Sequence, residues 1–299
     1  LLGKKMGNLK VNKFNKVALF STTSNKRILS IANQCKEVLR NRGIKVIATN
    51  KLKGINSKEL TIYSQIEITK QSDLVIAIGG DGTMLSCSRK FGSEGVPILG
   101  INLGNLGFLA DLNPKNLTET LIKVMEGEFK EDRRFFIEAI IEGEECNPLA
   151  LNEIVIHSGA IAQMIEYDLF IDEEFVWSQK ADGLIVSTNT GSTAYSLSGG
   201  GPIIHPTLEA FCVLPMFPHS LSSSPLIVSS GSKITVVLKK NSKKGKISLD
   251  SAEIFPVKKG QTVSMKQSNK FLKLIHPTGH NFYEAYRNKL GWGLGIIKD

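Results

Sequence analysis

Leu74-Val75-Ile76-Ala77-Ile78-Gly79-Gly80-Asp81-Gly82-Thr83 is an apolar run that ends in a glycine loop holding one carboxylate. Five consecutive apolar residues suit a strand covered on both faces. Residues 83–91 that follow carry a helical pattern, so the loop joins a buried strand to a helix. Ligands of open α/β sheets bind at the carboxyl ends of strands. Glycines let the backbone approach a phosphate or sugar, and a helix start offers free N–H groups. A carboxylate there would repel a phosphate. Asp81 makes sense if it accepts a proton from a hydroxyl or faces a phosphate across a metal ion. The competing reading is a turn with Asp81 as helix cap. Gly79 through Thr83 are five specified residues, each at roughly 5–7% usage, and should recur by chance about once in thousands of chains of this length. The strand-loop-helix setting favours function.

Outward from that loop, residues 17–20 read as a buried strand. Ser24 is placed to cap a helix whose apolar face is Ile28, Ile31, Ala32, Cys35, Val38 and Leu39, closed by Gly43. Residues 45–48 and 96–101 read as further strands. Asn113-Pro114 starts a helix with the stripe Leu117, Leu121, Val124 and Met125, ended by Gly127. Strands alternating with helices predict a mostly parallel sheet covered on both sides. From about residue 135 the pattern changes to short strands at 135–141, 153–157, 164–171, 175–178, 183–187, 234–238, 246–249, 263–265 and 271–275. Ile165, Tyr167, Leu169 and Ile171 alternate with Glu166, Asp168 and Phe170, near a period of two, and Asp172-Glu173-Glu174 makes a turn. This half reads as an all-β sandwich. The cleft between two such domains is the default place for a ligand.

Composition sets the frame. The chain has 299 residues, 41% hydrophobic and 22% charged, enough for a full core without staples. A net charge of +9 favours anionic partners, although the basic residues are scattered, with short clusters only at Lys239-Lys240 and Lys243-Lys244. That gives little support for nucleic acid. Cys35, Cys87, Cys146 and Cys212 form no C-x-x-C pair and suit neither zinc nor a disulfide framework. A reducing cytoplasm is the simplest setting. The basic residues before about Phe14 read as a loose tail without a signal peptide's apolar stretch, and no apolar run approaches the ~20 residues of a spanning helix. The sequence lacks G-x-G-x-x-G, the P-loop pattern, H-E-x-x-H and the G-x-S-x-G elbow, which argues against the usual dehydrogenases, P-loop enzymes, zincins and serine hydrolases. The five histidines show no metal-ligand spacing; His205 and His219 lie near loops and read as structural.

Three further segments accompany the first loop. Gly100-Ile101-Asn102-Leu103-Gly104-Asn105-Leu106-Gly107-Phe108-Leu109 follows a strand and implies a tight, irregular turn. Leu151-Asn152-Glu153 says nothing alone. Residues 182–202 run from a strand into a loop of hydroxyls and glycines, which suits a pyrophosphate or ribose.

Taken in order, these segments resemble the NAD kinase family, from about Val17 to Trp292. The family shares its Gly-Gly-Asp-Gly loop with phosphofructokinases and with diacylglycerol and sphingosine kinases. The resemblance implies an α/β domain (1–135), a β-sandwich dinucleotide-binding domain (136–275) and a C-terminal segment (276–299) returning to the first. It implies ATP-dependent phosphorylation of the 2′-hydroxyl of the adenosine ribose of NAD, with Asp81 as catalytic base. Dinucleotide contacts would come from Asp81, Gly82, Asn152, Glu153, Gln163, Lys180, Asp182, Thr193, Ala194, Tyr195, Ser196, Leu197, Ser198 and Ala252. Lys180 stands where the family varies with preference for NAD or NADH. The resemblance further implies Mg²⁺ or Mn²⁺ on the donor's phosphates, no dedicated protein metal site, a cytoplasmic homo-oligomer (dimer or tetramer), and neither nucleic-acid nor membrane partners. The competing classes are a lipid or sugar kinase of the same superfamily and a non-catalytic dinucleotide sensor.

Overall fold

The computed structural model describes residues 12–55, 61–104, 107–110, 112–145, 148–160, 163–220, 223–240 and 245–291. The basic tail up to residue 11, Asn105 and Leu106 of the second glycine loop, Cys146, Lys243-Lys244 and Trp292 lie outside them. The chain forms two compact units. One runs to Arg133 and resumes at Leu272, and the other is Arg134–Phe271.

The first unit is built on strands β1 (Lys16–Phe20), β2 (Lys45–Ala48), β3 (Thr61–Ile62), β4 (Leu74–Ile78) and β5 (Ile98–Ile101), with helices α1 (Lys26–Arg40), α2 (Gln65–Gln71), α3 (Asp81–Lys90) and α4 (Leu117–Met125). The order β3-β2-β1-β4-β5 is parallel throughout. Every residue of β4 is buried, as its unbroken apolar run predicts. From β1 the chain steps to β2 on one side, and β4 lies on the other. The sheet therefore changes direction between β1 and β4, and the Gly79–Gly82 loop sits at the carboxyl end of that switch.

Three helix starts differ from the sequence reading. The cap of α1 is Asn25, whose Oδ1 accepts the Ile28 N–H at 2.9 Å, rather than Ser24. Both residues can cap, and the helix takes the one next to its first turn. Asn113 does cap, but Pro114–Asn116 is a 3-10 turn, and the α-helix starts at Leu117. Helix α3 begins at Asp81, two residues before the apolar pattern begins.

The second unit is antiparallel. It contains β6 (Phe129–Ile141, shared with the first unit), β7 (Leu149–Ala150), β8 (Glu153–His157), β9 (Ile165–Ile171), β10 (Glu174–Ala181), β11 (Gly183–Thr188), a single helical turn α5 (Tyr195–Ser198), β12 (Ala210–Met216), β13 (Leu226–Ser229), β14 (Ile234–Leu238), β15 (Gly245–Leu249), β16 (Glu253–Val257) and β17 (Thr262–Pro277). One sheet runs β10-β9-β14-β17 and the other β13-β12-β11-β8-β15-β16. Their inner faces share one core, with Ile165, Tyr167 and Leu169 from the first and Ile154, Leu184, Val186 and Phe211 from the second. The expected strands at 263–265 and 271–275 are one strand, β17. The polar stretch Lys266–Lys270 hides its continuity because backbone pairing does not require apolar side chains. Beyond Phe271, β17 belongs to the first unit, where it pairs with β5 in parallel and leads to α6 (Phe282–Leu290).

Candidate functional site

The first cluster lies wholly in the first unit. Gly80 is the N-cap of α3 and Asp81 its first residue, so Asp81 does not cap the helix. Its carboxylate points to the second glycine loop instead. Oδ2 accepts the Phe108 N–H and Oδ1 the Leu109 N–H, each at 3.2 Å. The alternative that Asp81 is a simple cap is therefore set aside. The loop that supplies those N–H groups is shaped for the purpose. Asn102 Oδ1 accepts the Gly104 N–H at 2.9 Å, and Asn102 Nδ2 donates to the Ala110 carbonyl. A Cβ on Gly107 would stand 2.4 Å from Asp81 Oδ1, so only glycine leaves room for the carboxylate. Gly79 is likewise structural, since a Cβ there would meet Thr83 Oγ1 at 2.2 Å. The Thr83 and Thr22 hydroxyls lie 3.0 Å apart and link the first turn of α3 to the segment after β1. Beside them a cavity of about 280 Å³ opens at the carboxyl ends of β1 and β2, lined by Phe20, Thr22, Thr49, Lys51 and Lys90.

Asp81 has one more partner that sequence reading missed. Lys289, in the last turn of α6, donates from Nζ to Asp81 Oδ2 at 2.6 Å, across 208 positions of sequence. The same ammonium lies 4.0 Å from the centre of the Phe108 ring, which packs on Tyr286 one turn earlier in α6. No local pattern marks such a lysine in a single sequence.

The second cluster lies wholly in the second unit. Asn152 and Glu153 are both buried at the start of β8. The Asp250 carboxylate accepts the backbone N–H groups of Leu151, Asn152 and Glu153 at 3.0, 2.8 and 3.3 Å. Thr188 closes the other side, donating its hydroxyl to the Leu151 carbonyl at 2.6 Å and its N–H to the Asn152 carbonyl at 2.8 Å. Gly191 passes so near that a Cβ would be 2.0 Å from the Asn152 carbonyl oxygen. The Glu153 carboxyl is pushed up to about 8, first by burial and then by the Asp250 charge, with the Tyr195 backbone N–H partly opposing. Glu153, Asp250 and the Tyr195 turn are thus one cluster.

The Tyr195 turn and the remaining expected contacts are placed as follows in this unit. Thr193 ends the 3-10 turn Gly191–Thr193, and Ala194 leads into α5, where Tyr195 and Ser198 are exposed while Ser196 is buried and Leu197 partly so. Asp182 precedes β11, its N–H bonded to the Met216 carbonyl at 2.9 Å. Lys180 is exposed on β10, 3.8 Å from Glu166. Gln163 is exposed just before β9. Ala252 is exposed in the turn after Asp250, its N–H bonded to Leu249. Asp250 and Gly191 are the positions that sequence reading did not assign a role here. The Asp250-Ser251 turn, with both residues at positive φ, is a signal only once the backbone is known.

Two family models cover most of the chain, the ATP-NAD kinase N-terminal domain over residues 14–129 and the ATP-NAD kinase C-terminal domain over 151–277. The chain belongs to the NAD kinase family. Among NAD kinases it is 43% identical to that of Photorhabdus laumondii over 258 residues, covering 85% of this chain and 88% of the relative. It is 41% identical to that of Shewanella halifaxensis over 286 residues, 94% and 93% of the two chains. An NAD kinase from Archaeoglobus fulgidus solved in complex with ATP superposes with a TM-score of 0.72 at 27% identity, covering 92% and 97% of the chains. Yeast NADH kinase, solved with NADH, gives 0.85 at 24% identity over 96% and 91%, and shares the fold. Like its NAD kinase relatives, the protein is a phosphotransferase with a mostly parallel N-terminal domain and an antiparallel C-terminal one.

Proposed function

We propose that the chain transfers the terminal phosphoryl group of ATP to the 2′-hydroxyl of the adenosine ribose of NAD, giving NADP. The observation that carries this reading is the Asp81 carboxylate, held by two loop N–H groups at a glycine-flanked strand end, in a member of this family. In the transfer, the ribose oxygen forms a bond to the γ-phosphorus as the bond to the β–γ bridging oxygen breaks. ADP leaves with that electron pair, and Asp81 takes the hydroxyl proton. Such a base is worth about 10²–10⁴-fold; the rest is positioning and charge neutralisation. The cavity beside Thr22, with Lys51 and Lys90, supports a site for the donor.

Among the described residues no group of three or more His, Cys, Asp or Glu side chains could hold a metal. The divalent ion that the family resemblance implies would arrive on the nucleotide. A Mg²⁺ or Mn²⁺ ion so carried would neutralise phosphate charge. In the second unit, Asn152 and Glu153 would hold the adenosine and ribose, with Asp182, Gln163, Thr193 to Ser198 and Ala252 as further dinucleotide contacts. The exposed Lys180 would favour NAD over NADH.

Among the described residues no helix is long and apolar enough to cross a membrane. A cytoplasmic homo-oligomer is the associated proposal, tested by sedimentation at micromolar protein, where a lone ~33 kDa species would refute it. Incubation of the purified chain with ATP, Mg²⁺ and NAD tests the main reading. NADP should form, and its absence under conditions where NAD binds would overturn it.

A further inference from the structure

The Asp81 carboxylate has about four acceptor positions, and Phe108 N, Leu109 N and Lys289 Nζ take three of them. The two N–H groups are fixed in a loop tightened by Asn102 and Gly107. Lys289 is different. Its ammonium rides on a four-carbon stem, and the side chain is 30% exposed, as is that of Asp81. It is the partner that can leave without unfolding a loop. An ammonium released beside the loop needs another anion, and the reaction brings one, because the donor's triphosphate carries several negative charges. That triphosphate must also approach a carboxylate that repels it.

Resting on the reading that Asp81 is the base, we infer that Lys289 is a phosphate-binding residue of the transfer step: it neutralises Asp81 in the nucleotide-free enzyme and passes to the donor's phosphates as ATP binds. One movement frees the base and supplies a cation where charge develops. The Phe108 ring, 4.0 Å from the ammonium and packed on Tyr286, gives the cation a second favourable surface that does not consume its hydrogen-bond donors. No bond is made or broken by Lys289 itself. Its proton count is unchanged, and only its counter-ion differs.

The inference makes Asp81 and the donor compete for one ammonium, which a double-mutant cycle reads directly. The affinity of the full chain for a non-hydrolysable ATP analogue with Mg²⁺ would be measured for wild type, Asp81→Asn, Lys289→Met and the double variant. Asp81→Asn should tighten the analogue several-fold by releasing Lys289 and relieving repulsion, and in the Lys289→Met background that gain should shrink to the part that relieved repulsion gives. A gain of equal size in both backgrounds would mean that Asp81 acts by repulsion alone and would overturn the inference; so would the absence of any gain. In turnover, Lys289→Met should lower kcat/KM for ATP by about 10²-fold, the low end of the loss when one donor to developing charge is removed. The NAD dissociation constant should stay within about twofold, and Lys289→Arg, which keeps the charge, should recover most of the loss. Equal weakening of NAD and ATP would mark a structural role and refute the assignment. If Lys289→Met does not fold, Lys289→Gln carries the same test. Should wild type make no NADP, the functional reading fails while the analogue cycle still decides whether Lys289 exchanges partners.

Discussion

The Asp250 carboxylate accepts the backbone N–H of Asn152 at 2.8 Å, a bond from the turn after β15 to the residue just before β8, 98 positions apart. The same carboxylate also holds the N–H groups of Leu151 and Glu153, so one buried side chain sets the backbone that presents both expected dinucleotide contacts. Asp250→Ala strands buried donors and should cost roughly 2–4 kcal/mol of stability, together with NAD affinity. Asp250→Asn keeps one oxygen acceptor and should lose less. Denaturant melts paired with NAD titration check this; a stability change under about 1 kcal/mol for the alanine variant would contradict it.

Glu153 gives the protein a pH signature. Its pKa is raised from 4.5 to about 8, chiefly by burial. A carboxyl raised on folding contributes stability that is fully present below the unfolded value and lost as pH climbs through the folded one. Stability should therefore decline between about pH 4.5 and 8 through this group and level off above. Glu153→Gln, neutral at every pH, should flatten the decline. Thermal melts of both proteins from pH 5 to 9 decide the matter, and parallel curves would refute the assignment.

These two residues show what the sequence can and cannot carry. The apolar run 74–78 identified its strand because a strand buried on both faces needs no partner to be recognised, and all of β4 is buried. The period-two alternation of Ile165, Tyr167 and Leu169 likewise matches the core-facing side of β9. β12 is less visible, since Pro215 in a central strand is a breaking signal. Asp250 and Lys289 were illegible for another reason. Each acts on a residue about a hundred or more positions away, and only the folded chain brings the pairs together. The motif residues could be named from the sequence; the groups that aim them could not.

The glycines separate structural from functional demand. A Cβ on Gly191 would lie 2.0 Å from the Asn152 carbonyl oxygen and within 2.7 Å of its Cα, backbone atoms that cannot step aside. Gly191→Ala should therefore destabilise the second unit by about 1–3 kcal/mol or more. A Cβ on Gly82 meets nothing within 4 Å among the described residues. Gly82 also lies in the first turn of α3, where alanine is the better helix former by about 1 kcal/mol. Gly82→Ala should fold at least as stably as wild type, yet lose turnover because a methyl group blocks the approach of substrate. Normal turnover in that variant would show that Gly82 is not at the substrate.

Asp81→Asn separates three roles for the loop carboxylate. Asparagine retains the shape and an oxygen that can accept from Phe108 or Leu109, so the loop should persist. The partly exposed pair with Lys289 is lost, which should cost no more than about 1 kcal/mol of stability. If Asp81 were only a structural acceptor, turnover would be nearly normal. If it takes the ribose proton, kcat should fall by roughly 10²-fold or more while NAD still binds, because an amide cannot accept that proton. If it mainly organises the cation on the donor, turnover would also fall, but excess Mg²⁺ should restore part of it. Measuring kcat across a Mg²⁺ series, with NAD affinity determined separately, distinguishes these roles. The base reading expects a deep loss that added Mg²⁺ does not recover and an NAD affinity within about threefold of wild type, a change under 1 kcal/mol. A near-normal kcat would end it.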